Sequence, residues 1–162
     1  MSQPAHLIHL GPAEGQSFSA VGDVYRILAS GDQTGGSHVL VEAKVPPGGG
    51  PPPHIHHRED ESFYVVEGEI TFQIDGKRVV AGPGSFLQGP RGIPHAFRNE
   101  TAKPARMLIL VVPPGFDKFI EEFAHPLASF DSPAVPVSPE EIAKLAAAAP
   151  KYGIELLPPP QN

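Results

Sequence analysis

The chain has 162 residues, a formal net charge of −6 and no cysteine. That length suits one domain with a core of its own, and without cysteine there is no disulfide framework, zinc–thiolate cluster or thiol nucleophile. The 12 lysine and arginine residues are scattered, not massed into the basic face of a nucleic-acid binder, and no stretch nears the roughly 18 apolar residues of a membrane span; neither nucleic acid nor membrane is expected as a partner.

The opening stretch, MSQPAHLIHLGPAEG, lacks the basic start and apolar run of a secretory signal, so a cytoplasmic location is expected. Glycine (17) and proline (21) are abundant, and they fall between apolar segments, as turn residues do. Many short strands separated by such turns point to an all-β domain. Residues 24–28 and 38–45 are rich in β-branched and apolar side chains and read as strands, with SGDQTGG as the loop between them. A short apolar run at 63–66 is followed by a turn at Glu67-Gly68. Ile70, Phe72 and Ile74 then alternate with Thr71 and Gln73, the period of a half-buried strand. Asp75-Gly76 is a strong hairpin signal, because a type I′ turn needs positive φ at both central residues. Residues 107–112 form a last strand, closed by Pro113-Pro114-Gly115.

Beyond Gly115 the period changes. Phe116, Phe119, Ile120 and Phe123 recur at helical spacing and predict an amphipathic helix. A second helix has both ends marked: Ser138 caps the start, Pro139 suits the first turn, Glu141 completes a capping box, and Pro150 stops it. The expected organisation is a β-domain over residues 1–115, then a helical C-terminal extension over 116–162 packed on that domain or on a partner subunit.

Chemistry concentrates in PPPHIHHREDESFYVVEG, residues 51–68. Burying imidazoles and carboxylates is costly unless they are paired or bind a metal. The stretch belongs to a spaced pattern, G-x5-H-x-H-x4-E-x6-G, filled by Gly48, His54, His56, Glu61 and Gly68. A second pattern, G-x5-P-x-G-x2-H-x3-N, is filled by Gly84, Pro90, Gly92, His95 and Asn99. On an extended strand His54 and His56 point to one side, and Glu61, opening the next strand, shares their inward parity. His95 comes from a distant strand, which a barrel brings across. Three imidazoles and a carboxylate suit a divalent transition metal (Fe, Ni, Mn, Co, Cu or Zn) better than Mg or Ca.

These two blocks resemble the paired motifs of the cupin superfamily, closely over residues 37–112. The tail resembles more loosely that of small quercetin-dioxygenase-like cupins. The resemblance implies an all-β jelly-roll β-barrel with short C-terminal helices and a metal inside one end. It puts His54, His56, Glu61 and His95 at the ligand positions, and the family commonly pairs as homodimers. It also implies a small-molecule substrate, a dioxygenase reaction on an aromatic or enediol-type molecule that chelates the metal, and a second role for Glu61 as catalytic base. Strand parity adds Phe63, Phe72 and Phe97 as candidate walls of a substrate pocket. Two other readings stand beside this one: a metal and small-ligand binding module without turnover, and an oxygen-independent metal-assisted isomerase or decarboxylase. His6, His9, His38 and His125 read as ordinary histidines, and His57 points away from the pair. Glu59 and Asp60 read as solvated loop charges, with Asp60 the fallback for Glu61 if the loop register shifts by one, and Arg58, Arg91 and Arg98 as rim residues. No second acid or base is conspicuous near the ligand positions.

Overall fold

A computed structural model describes residues 6–159; residues 1–5 of the opening stretch and 160–162 of the tail lie outside the described residues. Two antiparallel sheets carry the fold. The first is built from β1 (Ser17–Ala20), β2 (Asp23–Ala29), β3 (Val39–Val45), β5 (Asp60–Glu67), β8 (Phe86–Gly89), β10 (Ala105–Val112) and β11 (His125–Leu127). Its strand order is β11-β1-β2-β3-β10-β5-β8. The second contains β4 (His54–His56), β6 (Ile70–Ile74), β7 (Lys77–Ala81), β9 (His95–Arg98) and β12 (Ile154–Leu156), ordered β12-β4-β9-β6-β7. Among the described residues no ladder joins the edges of the two sheets. The expected jelly roll is present, therefore, as two facing open sheets and not as a hydrogen-bonded closed barrel.

The anticipated elements form for the anticipated reasons. Asp75 (φ 52°) and Gly76 (φ 70°) both take positive φ, and the hairpin they close pairs Ile74 with Lys77 and Ile70 with Ala81. Inward residues of β3 and β10 (Val39, Val41, Val45, Met107, Ile109, Val111) are all but inaccessible, and Phe63 of the first sheet meets Phe72 of the second with ring centroids 5.1 Å apart. That contact lies at the middle of the core.

Two turn residues tie the spaced patterns together. Asn99, fully buried, donates from Nδ2 to the carbonyls of Val45 (2.9 Å) and Lys103 (2.7 Å), while Gly48 N–H donates to the Asn99 carbonyl at 2.7 Å. Close approach explains Gly50, where a Cβ would stand 2.0 Å from the Phe97 carbonyl oxygen.

The segment after Gly115 does more than form helices. Helix α1 (Phe116–Phe123) buries the four apolar residues named above. Helix α2 (Pro139–Ala148) is capped by Ser138, whose Oγ accepts from the Glu141 N–H. The Glu141 side chain does not reach back to close the box; Oε1 accepts instead from the Val21 N–H at 2.8 Å, pinning α2 to the β1–β2 turn. Pro150 does not end the helical path at once, since a 3₁₀ turn runs over Ala149–Tyr152 to a left-handed Gly153. Each sheet then receives an edge strand from this segment, β11 against β1 and β12 against β4. No helix among the described residues is long and apolar enough to cross a membrane.

Candidate metal centre

Strand parity delivers the ligand side chains. In β4, His54 and His56 are buried while Ile55 between them is half-buried, and in β5 Glu61, Phe63 and Val65 are buried on one face. β9 supplies His95, directly opposite His54. The four groups converge so that one ligand atom from each lies within 4.8 Å of the others. Glu61 Oε2 sits at the focus, 2.5 Å from His95 Nε2, 3.2 Å from His56 Nε2 and 3.9 Å from His54 Nε2.

The other ring nitrogens settle the proton positions. His54 Nδ1–H donates to the Pro52 carbonyl at 2.8 Å and His95 Nδ1–H to the Ile93 carbonyl at 3.2 Å. His56 Nδ1–H donates to Glu59 Oε2 at 2.7 Å. A carbonyl only accepts, so Nδ1 carries the proton and the Nε2 lone pair faces the focus. Lone pairs and a carboxylate aimed at one point repel unless a cation stands there, either a proton on an imidazole or a metal ion. Burial pulls the His54 pKa down, against the proton. For His56 burial also lowers it, but the carboxylates of Glu61 and Glu59 more than reverse this. Glu61 stays ionised well below the usual carboxylate range, because His56, His54 and His95 outweigh its burial. Metal–nitrogen and metal–oxygen bonds near 2.0–2.2 Å put neighbouring ligand atoms about 3 Å apart, close to the spacings present. The cluster could hold a transition metal, and its nitrogen-rich donor set disfavours Mg or Ca.

The centre opens on a partly open, mostly apolar cavity of about 60 Å³. His54, His56 and Glu61 line its floor, with Tyr25 and Phe97 on the walls; α1 closes the far side through Phe116, Phe119, Ile120 and Phe123. Of the aromatic wall expected from strand parity, Phe97 borders the cavity, whereas Phe63 and Phe72, each 1% exposed, stand behind it in the core. β12 lies against the ligand strand, pairing Ile154 with His56 and Leu156 with His54.

One expectation is overturned. Glu59 is no solvated loop charge: it is 3% exposed and orients His56. Its position three residues on, in a turn, carries no periodic signal. Asp60 points outward and pairs with Arg91 at 2.9 Å. His57 is exposed and meets Glu155 at 2.7 Å, and Arg58 donates to the Lys151 carbonyl at 3.0 Å, so neither reaches the centre. Sequence spacing also gave no sign of Tyr25, buried in the cavity wall, nor of Asp23, buried beside it.

Comparison with known proteins agrees with this geometry. The family model described as Cupin domain matches residues 41–113. Over 127 residues the chain is 28% identical to quercetin 2,3-dioxygenase of Bacillus subtilis (strain 168), covering 78% of this chain and 37% of that enzyme; it spans little more than a third of that relative. A structure described as a predicted oxalate decarboxylase from Thermotoga maritima superposes with a TM-score of 0.60 at 19% identity, over 67% of this chain and 99% of that one. A sugar phosphate isomerase from a cupin superfamily, from Silicibacter pomeroyi, gives 0.54 at 24% identity, over 65% and 74%. The two structures share the fold, and their different activities are their own. The matched segment, residues 41–113, holds all four converging side chains and the strands that carry them, and it is this segment of the chain that is similar to a cupin domain.

Proposed function

We propose that this protein is a metal-dependent dioxygenase for a small substrate presenting adjacent hydroxyl and carbonyl oxygens. The supporting observation is the convergence of three Nε2 lone pairs and one carboxylate, each imidazole held from behind through its Nδ1, with His54, His56 and Glu61 bordering a mostly apolar cavity. A divalent transition metal held by His54, His56, His95 and Glu61 would supply Lewis acidity and the electronic coupling to dioxygen when bound. Glu61 takes the hydroxyl proton of the substrate, since its carboxylate is ionised and stands at the focus. Phe97 bounds the substrate on one side, with Phe63 and Phe72 fixing its ring from behind. The phenyl rings of α1 exclude water, which strengthens every electrostatic interaction inside.

Cavity size narrows the substrate class. Sites for drug-sized ligands run to about 300–1,000 Å³, so the present 60 Å³ admits an enediol or hydroxy-carbonyl compound of a few heavy atoms. A flavonol enters only if α1 gives way. The protein acts in the cytoplasm as a homodimer in this reading. The test is oxygen uptake by protein loaded in turn with Fe, Ni, Co, Mn, Cu and Zn, over small enediols and flavonols. Metal- and oxygen-dependent cleavage supports the reading. Turnover that persists without oxygen assigns the site to an isomerase or decarboxylase, and tight binding without turnover to a ligand-binding module.

A further inference from the structure

Among the described residues, the cavity wall contains one side-chain hydrogen-bond donor outside the metal ligands. The Nδ1 protons of the three histidines are spent on Pro52, Glu59 and Ile93, and Glu61 is an acceptor. Apart from Tyr25, the remaining wall side chains are apolar. Tyr25 is 6% exposed and its ring stands edge-on to Phe116 at 6.4 Å.

Asp23 lies two positions earlier on β2 and so shares its face. It is fully buried, and neither of its oxygens has a hydrogen bond of normal geometry, although the Gly50 N–H and the Tyr25 hydroxyl lie close enough to favour its charge. Its place is kept open by Gly49, where a Cβ would stand 2.5 Å from Asp23 Oδ1. A buried acid without a partner is costly and has to be accounted for. Burial outweighs those neighbours and pushes its pKa up to about 8, so near neutral pH it is a carboxylic acid and a donor. Burial, then Asp23 and Glu61, also raise the Tyr25 pKa, which keeps the phenol protonated.

We propose that Tyr25 is the hydrogen-bond donor that an anionic ligand meets in the cavity, and that Asp23, donating to the phenol oxygen from behind, turns the phenol proton toward that ligand. The inference rests on the metal centre proposed above. It assigns the cavity a preference for small ligands with a localised negative charge, such as an enolate or carboxylate oxygen. Tyr25 touches the ligand; Asp23 is a positioning residue.

Azide binding to the Co(II)-loaded protein tests this at pH 7, with cobalt stoichiometry and azide affinity both read from the visible absorption of the ion. Tyr25→Phe keeps the ring and removes the donor. It is expected to leave cobalt uptake unchanged and to weaken azide about tenfold, the worth of one hydrogen bond to a charged group. Asp23→Asn retains a donor toward the phenol and keeps azide affinity within about twofold, while Asp23→Val loses about as much as Tyr25→Phe. Cobalt bound with azide affinity indifferent to Tyr25→Phe and to Asp23→Val overturns this proposal alone. A wild-type protein that takes up no cobalt overturns the metal centre and this proposal with it.

Discussion

Glu59 accepts from His56 Nδ1–H at 2.7 Å, and both side chains are buried to within 4% of full. A charge is kept out of water there for the orientation of one imidazole. Such outer partners fix the tautomer of a ligating histidine and raise its basicity. Glu59→Leu is expected to weaken metal binding about 10- to 100-fold, with Glu59→Gln, which still accepts, losing less. Competition against a chelator of known affinity measures it; an unchanged affinity in Glu59→Leu means that the His56 ring is held by packing alone.

Asp23 gives the stability of the protein a pH dependence of definite sign. Its carboxyl has an ordinary value of 3.8 and a folded-state value of about 8. The favourable contribution of the protonated acid is complete below pH 3.8 and declines as pH rises toward 8, because the unfolded chain ionises first. At pH 7 the cost reaches about 4 kcal/mol. Asp23→Asn removes the ionisation, so the variant gains stability relative to wild type between pH 4 and pH 8. Urea denaturation across that range reads the slope; parallel wild-type and variant curves would show that Asp23 is ionised in the folded protein.

Helix α1 is held on the cavity by a short aromatic ladder. Phe119 lies 6.1 Å from Phe116, 4.7 Å from Phe123 and 5.6 Å from Tyr152, centroid to centroid. Phe119→Ala should cost about 3–5 kcal/mol, the usual penalty for removing a buried phenyl ring, and should widen the ligand space. Denaturant midpoints give the first quantity and binding of a bulkier enediol the second. A loss below about 1 kcal/mol would mean that the helix collapses into the vacated space.

Local chemistry made part of this molecule readable in its sequence. The Asp75-Gly76 hairpin follows from φ alone, and the inward parity of His54, His56 and Glu61 follows from the pleat. The aromatic face of α1 follows from its period. What escaped depends on contacts between distant segments. β11 and β12 are three-residue strands, too short to show a period, and they exist because β1 and β4 offer edges to them. Ser17–Ala20 is fully buried yet has no alternation to mark it. Glu59 and Asp23 look like ordinary acidic residues until the fold removes water from around them, and Glu141 reaches Val21 across 120 positions. The second pattern's histidine was legible only as a spacing; its meeting with Glu61 is a property of the two sheets.

Metal content is the most direct measurement. Protein purified without chelator or histidine tag is expected to carry, or to take up, close to one transition-metal ion per chain, with a rise in melting temperature on binding. His56→Ala and Glu61→Ala should lose both the ion and the rise. A wild-type protein that binds none of Fe, Ni, Mn, Co, Cu or Zn, and whose melting temperature none of them moves, would contradict the account.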